Sequence, residues 1–139
     1  MTLEPREYET GIATLIVINR ELVEIHYKPG IVFDPKSVAE VQDKRREVMG
    51  NRPYATLTLI PEDVDFNLET MRQDQGQPDR TQSQLLASAV VARSSMIEML
   101  TKLYFSYYPQ LHRILVSDDE RTAREWLEQQ LEEIARTGS

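Results

Sequence analysis

The sequence predicts an α/β fold in which helices pack on a mixed, mostly parallel sheet. Four apolar, extended-looking runs are each followed within a few residues by a helix-start signal, at Asp34, Asn67, Ser95 and Ser117. Strands that alternate with helices form parallel sheets through right-handed crossovers. Two short β-rich runs near the start, separated by polar residues, add an N-terminal antiparallel hairpin. The predicted order of elements is therefore ββαβαβαβα.

The N-terminal part predicts a lead-in and the hairpin. Residues 1–11 are polar and indicate a loose lead-in, and residues 12–136 then form one domain, since either half alone is too small to bury a core. The first strand is predicted at Ile12–Ile18 and the second at Leu22–Tyr27. Apolar and polar residues alternate along the second strand, so one of its faces is expected to be buried.

The first helix is predicted from Pro35 to Met49. Asp34 is a favourable cap before a proline at the first helical position, and Gly50 occupies the stop position. A strand follows at Ala55–Ile60, and Asn67 begins a second, short helix.

The segment Leu85–Ala92 is apolar, and periodicity alone does not separate a buried strand from a buried helix. Ser95-Met-Ile-Glu98 resembles a capping box, which favours a fresh helix start and hence a strand before it. The apolar face of this third helix is predicted to consist of Met96, Met99, Leu100, Leu103 and Tyr104.

The last strand is predicted at Arg113–Val116, followed by a second capping box at Ser117. The final helix has a clear amphipathic stripe, in which Trp126 is expected to belong to the core. The stripe consists of Ala123, Trp126, Leu127, Leu131, Ile134 and Ala135.

Charge and composition limit the classes of function. Sixteen basic and 23 acidic residues give a net charge of −7. A nucleic-acid binder must neutralise phosphates, so we expect no nucleic-acid partner. No apolar run approaches the roughly 20 residues of a membrane span, and charges occupy the start where a signal peptide would be apolar. We therefore expect a cytoplasmic protein with no membrane span.

Several of these segments resemble the STAS-like proteins, single domains similar to the bacterial anti-sigma factor antagonist of sporulation. The resemblance rests on three parts of the chain. The hairpin ends in Tyr27-Lys28-Pro29-Gly30, and Leu57-Thr58-Leu59-Ile60 is followed by an acidic turn and Phe66. The closing part contains Arg113-Ile114-Leu115-Val116 and Glu125-Trp126-Leu127. It covers about residues 12–130 and extends to small bacterial STAS/SEC14-type proteins of unassigned function.

The resemblance implies a non-catalytic, regulatory role in protein–protein interaction. In the antagonists a phosphorylatable serine opens the helix after the third strand, within an Asp-Ser-Ser/Thr-Gly motif. The matching stretch here has neither the serine pair nor the glycine, and Glu69 and Thr70 fall nearest the phosphosite. We expect Thr70 to be an unphosphorylated first-turn residue. The candidate partner-contact edge consists of Asp63, Asp65, Asn67, Glu69 and Thr70. Its acidic character suggests a partner with a basic contact surface.

The aromatic residues of the third helix suggest a second contact surface. Four aromatics within five residues cannot all face one core, and aromatics are enriched at interfaces. Tyr104, Phe105, Tyr107 and Tyr108 are therefore a candidate interface with a partner or with a second copy in a homodimer.

No motif supports catalysis, and we expect no enzyme activity, no cofactor and no metal site. The two histidines lie alone in their segments, and the chain has no cysteine. The alternative function is binding of a small molecule or lipid in an apolar pocket between helix and sheet, which Met96 and Met99 could line.

Overall fold

The computed structural model describes residues 6–73, 84–110 and 112–137, and it has three layers, with a six-stranded sheet between two layers of helices. Across the sheet the strands are β1 (Arg6–Glu9), β2 (Ala13–Asn19), β3 (Leu22–Tyr27), β5 (Tyr54–Ile60), β7 (Leu85–Ala92) and β8 (Arg113–Ser117). The helices are α1 (Pro35–Met49), α2 (Ser95–Tyr107) and α3 (Glu120–Thr137). A 3₁₀ helix spans Leu68–Arg72, and β4 (Val32–Phe33) pairs in parallel with β6 (Asp65–Phe66).

The strand directions confirm the mixed, mostly parallel sheet with an N-terminal hairpin. β2 and β3 pair antiparallel, whereas β3, β5, β7 and β8 run parallel to one another. Residues Leu85–Ala92 form a strand, as the helix start after them predicts. Its six C-terminal residues are all buried, since β7 lies between β5 and β8 and helices cover both its faces.

The lead-in differs from the sequence prediction, because Arg6–Glu9 forms an edge strand paired antiparallel with β2. Tyr8 packs against the core, while Arg6, Glu7 and Glu9 are exposed. Charged side chains on an edge strand discourage pairing with other chains. For the same reason the sequence pattern does not predict this strand, because an edge strand of charged residues has no apolar run.

The two faces of the sheet have different packing. α3 covers one face, where it contacts β5, β7 and β8 through small and aliphatic side chains. This cluster consists of Ala55, Leu57, Ala87, Ala89, Val91, Ala123 and Leu127. α1 and α2 lie on the other face, α1 towards β2 and α2 over β7 and β8. Side chains of β3 and β5 on that face, such as Ile25 and Thr56, are buried between the two helices.

The helix starts agree with the sequence for α1 but differ by a residue or two for α2 and α3. Asp34 caps α1, accepting the backbone N–H of Ser37 at 2.8 Å. Ser94, not Ser95, caps α2, accepting the N–H of Ile97 at 3.4 Å. For α3 the carboxylate of Asp119, not Ser117, accepts the N–H of Thr122 at 3.0 Å. A carboxylate there also gains from the helix dipole, which a serine does not.

Most of the predicted stripe of α3 faces the sheet, although only its N-terminal half contains buried residues. Ala123 and Leu127 are buried, Trp126 and Leu131 are partly buried against them, and Ala135 is exposed. Trp126 therefore lies at the margin of the core and not at its centre.

Candidate functional site

A cleft of about 190 Å³ lies between α1, α2 and the central strands of the sheet. α1 lines one side of this cleft, α2 lines the other, and β3, β5 and β7 form its floor. Its apolar walls include the following side chains: Ile25, Tyr27, Phe33, Val38, Ile60, Phe66, Val90, Ile97, Leu100 and Phe105. Ordinary small-molecule sites have the same mixture of apolar walls and a few polar groups.

The polar groups on the floor of the cleft come from the register of β5 and β7. Thr56 is paired with Ser88 and Thr58 with Val90, so these side chains point to the same face. The hydroxyl of Thr56 donates to the Ser88 hydroxyl at 2.8 Å. The hydroxyl of Thr58 makes no hydrogen bond with any residue in the described ranges, although it lines the cleft.

Arg45 of α1 supplies a buried positive charge at one side of the cleft. It is only 2% exposed, and it donates to the Gln42 side chain at 2.9 Å and to the Tyr54 hydroxyl at 2.6 Å. Tyr27 is buried nearby, and this burial raises the pKa of its phenol strongly. The neighbours of Arg45 in sequence, Lys44 and Arg46, pair with Glu47 and Asp43 on the outer side of α1, whereas the side chain of Arg45 points inward.

Ser88 and His112 form a pair that sequence reasoning misses. The Ser88 hydroxyl lies 3.0 Å from His112 Nε2, across 24 residues of sequence. Because Ser88 already accepts from Thr56, it can donate to His112 if Nε2 carries no proton. Ser88 lies in the interior of β7, paired on one side with Thr56 and on the other with Ile114. The backbone around Ser88 pairs with β5 and β8, so its amides are engaged in the sheet and are not oxyanion-hole donors.

Two residues of the predicted apolar face, Leu100 and Tyr104, point inward as expected, whereas Met96, Met99 and Leu103 lie on the outer face of α2. Met96 is 52% exposed, Met99 61%, Leu103 49% and Tyr107 74%. We call these four residues the α2 stripe. The inward face instead carries Ile97, Leu100, Thr101, Tyr104 and Phe105. Met96 and Met99 therefore do not line the cleft, and the prediction that they would is wrong.

The four predicted interface aromatics divide between the two sides of α2. Tyr104 and Phe105 line the cleft and contact each other edge to face, with ring centroids 5.7 Å apart. The Tyr104 hydroxyl donates to the Gln73 carbonyl at 2.6 Å. Tyr108 packs on Tyr104 at 5.1 Å, which leaves Tyr107 as the most exposed ring of the group.

The predicted partner-contact edge follows β5 and surrounds the short strand β6. Asp63, Asp65, Asn67 and Glu69 are exposed there. The side chain of Asn67 caps the 3₁₀ helix by accepting the N–H of Glu69 at 2.9 Å. Leu68 lies between them and is 71% exposed, so the edge also has an apolar contact point.

Thr70 does not belong to the exposed edge. It is 6% exposed, and its hydroxyl donates to the Phe33 carbonyl at 2.7 Å. Since a kinase needs an accessible hydroxyl, phosphorylation of Thr70 would require local opening of the 3₁₀ helix.

The sequence alone could have identified part of the cleft. Alternation along β5 puts Thr56 and Thr58 on one face, and this signal for a polar floor is present in the sequence. The contacts of Ser88 with His112 and of Arg45 with Tyr54 depend on tertiary packing, and no local pattern marks them.

Comparison with known proteins agrees with the architecture. A family described as a domain of unknown function, DUF7793, matches residues 16–131. The chain belongs to this family. The match spans β2 to α3, so both the cleft and the α2 stripe lie within the DUF7793 domain.

A solved structure shows the same fold at low sequence identity. It is the crystal structure of an uncharacterised DUF3478-family protein from Shewanella loihica PV-4 with a SpoIIAA-like fold. The two chains share 12% identity at a TM-score of 0.52, over 89% of this chain and 92% of the other. The fold is therefore STAS-like, as the sequence resemblance implies. No curated protein matches the sequence significantly.

Two kinds of feature are absent from the part of the chain that the structure describes. None of the helices in the described ranges is both long and apolar enough to cross a membrane. Within the same ranges, no three His, Asp or Glu side chains are grouped as metal ligands.

Proposed function

We propose that this STAS-like domain acts without catalysis, by binding a protein partner through the α2 stripe. The observation that carries the proposal is the exposure of Met96, Met99, Leu103 and Tyr107 on one helix face. Their spacing of three, four and four residues places them in one row along α2. A contiguous exposed apolar patch on a soluble domain is typical of an interaction site.

The surroundings of the stripe favour a partner that combines apolar and basic groups. The carboxyl ends of β5, β7 and β8 meet at one edge of the sheet, and α2 begins there. Asp63, Asp65 and Glu69 are exposed at the same edge. Methionine side chains adapt to the shape of a partner, and the acidic edge attracts basic side chains beside it. A basic amphipathic helix has both properties.

The absence of catalysis is supported by the site chemistry on both faces of the sheet. At Ser88 and His112, the backbone amides of β7 are engaged in the sheet and do not serve as oxyanion-hole donors. His26 lies on the opposite face and contacts Glu24 at 2.8 Å, but Arg124 also binds this carboxylate. A carboxylate held by an arginine is a poor base, since the cation stabilises its charged form.

Site-specific photo-crosslinking tests the proposed surface. A photoreactive phenylalanine derivative replaces Met99 in the chain expressed in its own host, and Gln129 on the exposed side of α3 serves as the matched control position. We expect a discrete adduct with a different protein from position 99 and none from position 129. Leu103→Asp should remove the adduct while the far-UV circular dichroism spectrum stays unchanged.

Three results would contradict this proposal. They are an adduct only between two copies of the chain, equal labelling from both positions, and an adduct that Leu103→Asp does not affect.

The cleft favours a second candidate function, which is binding of a small apolar molecule. Its supporting observation is the pairing of apolar walls with a polar floor in a space of about 190 Å³. This function is compatible with the first, because opposite sides of α2 would serve the partner and the ligand.

A further inference from the structure

The volume of the cleft matches a ligand of one or two small rings. An engineered apolar cavity of about 150 Å³ binds benzene, whereas sites for drug-sized ligands begin at about 300 Å³. At about 190 Å³ the cleft accommodates a single substituted ring or a compact bicycle. A two-chain lipid or a nucleotide would extend well beyond the enclosed space.

The walls of the cleft favour a flat, aromatic molecule. Tyr27 and Phe33 meet edge to face with ring centroids 4.7 Å apart, and Phe66 lies 6.3 Å from Phe33. Tyr104 and Phe105 line the α2 side. A ring placed among these side chains gains edge-to-face and offset contacts in addition to the burial of its apolar area.

The charges around the cleft favour a neutral ligand. Among the described residues that line it there is no Asp or Glu to bind a cation. Arg45 is the one arginine or lysine among them, but it is buried and donates to Gln42 and Tyr54, so it does not present its charge to an anion. A neutral polar group loses far less hydration free energy than an ion on entering such a site.

The floor offers one hydroxyl that the fold does not use. Thr58 lines the cleft, and its hydroxyl makes no hydrogen bond within the described residues. Ser88 beside it is already engaged with Thr56 and His112. A ligand with a single hydrogen-bonding group could therefore direct this group to Thr58 while its ring contacts the aromatic walls.

We propose that the cleft between α1, α2 and the sheet binds a compact, neutral aromatic molecule whose one polar group hydrogen-bonds to Thr58. This inference rests on the second candidate function and adds the chemical class of the ligand. The proposed ligand site is independent of the proposed protein partner, which would contact the outer side of α2.

The test is a titration of the full chain, followed by two-dimensional ¹H–¹⁵N NMR. Indole is the probe, and indene, which has the same shape without the N–H, is its matched control. We expect saturable shifts for the amides of Thr58, Ser88 and Val90, and none for Ala123 and Leu127 on the opposite face of the sheet. Indole should bind several-fold more tightly than indene, as one hydrogen bond implies.

Three variants make the test specific to the cleft. Thr58→Val keeps the shape and removes the hydroxyl, so indole affinity should fall about three- to tenfold to that of indene. Thr101→Phe fills the cleft from α2 and should abolish binding of both probes. Thr14→Val, on β2 outside the cleft, should leave both affinities unchanged.

The probe panel separates failure of the ligand class from failure of the binding function. If benzoate, benzylammonium or decanoate shifts the cleft amides and indole does not, the cleft binds small molecules of another class and this inference is wrong. If no probe shifts these amides at millimolar concentration, the second candidate function is wrong as well. Equal affinity for indole and indene would overturn the role of Thr58.

Discussion

At the scale of single residues, Glu24 and Arg124 form the polar connection between β3 and α3. The Glu24 side chain is only 9% exposed, and Arg124 donates to both its carboxylate oxygens, at 3.0 and 3.3 Å. Burial raises the pKa of Glu24, but the hydrogen bonds from Arg124 and His26 outweigh this, so the pKa lies below its ordinary value. The buried carboxylate therefore depends on Arg124 for its stability.

Replacing Arg124 by methionine should destabilise the domain, since it leaves the Glu24 carboxylate buried with less compensation. Removal of one partner of a fully buried pair costs about 3–5 kcal/mol. Arg124 is 42% exposed, and solvent screening therefore reduces the expected loss to about 1–2 kcal/mol. Urea denaturation measures this change.

Arg121→Met on the same helix is the control for Arg124→Met. Arg121 pairs with Glu125, but the two side chains are 87% and 62% exposed, so the change should stay below about 0.5 kcal/mol. Equal losses in the two variants would show that the contact with Glu24 contributes nothing.

Thr70 shows which part of the site the sequence could not predict. The local pattern places it in the first turn of a short helix, and this is correct. Its burial depends on the carbonyl of Phe33, which lies 37 residues earlier in the chain. Local residue spacing carries no information about a contact over this separation. The sequence therefore predicts an exposed Thr70, as part of the partner-contact edge.

At the scale of elements, the start of α2 depends on which of two adjacent serines caps it. Both serines suit the position by residue type, and the sequence pattern favours Ser95 because Glu98 follows three residues later. In the structure Glu98 is engaged with Lys102 at 3.3 Å instead, and Ser94 accepts the N–H of Ile97.

Alanine substitution of each serine distinguishes the two caps. Ser94→Ala should lower the free energy of unfolding by about 0.5–1 kcal/mol, because it leaves an N–H at the start of α2 without its acceptor. Ser95→Ala should change it by less than about 0.5 kcal/mol, because alanine is favourable at the first helical position. Thermal unfolding of the two variants measures both changes in the free energy of unfolding. A larger loss for Ser95→Ala than for Ser94→Ala would show that Ser95 caps the helix, as the capping-box pattern predicts.

The orientation of α2 illustrates why an element can be predicted while its buried face is not. The apolar run Leu85–Ala92 and the cap signal after it together predict the strand and the helix that follows. The helix itself has apolar residues on both sides, so a 3.6-residue period does not select one of them. Packing buries the row of Ile97 and leaves the row of Met96 exposed. Helices with apolar residues on two sides are for this reason candidates for interaction sites.

At the scale of the whole molecule, the excess of acidic residues makes stability depend on pH in two opposing ways. The net charge of −7 at pH 7 disfavours the compact state through self-repulsion, and this repulsion weakens towards the isoelectric point near 4.9. The opposing effect comes from several carboxyl groups whose charged forms are stabilised in the folded protein.

These carboxylates have pKa values below their ordinary ones. The pKa of Asp34 is lowered mainly by the backbone N–H of Ser37, that of Asp119 by the Thr122 hydroxyl, and that of Glu9 by Lys28. Glu24 belongs to the same group. A carboxyl with a lowered folded pKa stabilises the fold above its unfolded pKa and loses this contribution as pH falls through the folded value.

The free energy of unfolding should therefore vary little between pH 7 and about 5 and fall steeply below the ordinary glutamate value of 4.5. Arg124→Met isolates the share of Glu24. Once Glu24 is protonated in the native protein, Arg124 no longer has a carboxylate to bind, so the difference between the variant and the natural chain should shrink as pH falls below about 4. Urea denaturation at intervals from pH 7 to 3 measures both curves. A constant difference down to pH 3 would mean that Arg124 stabilises the fold through packing of its alkyl chain and not through the charge on Glu24.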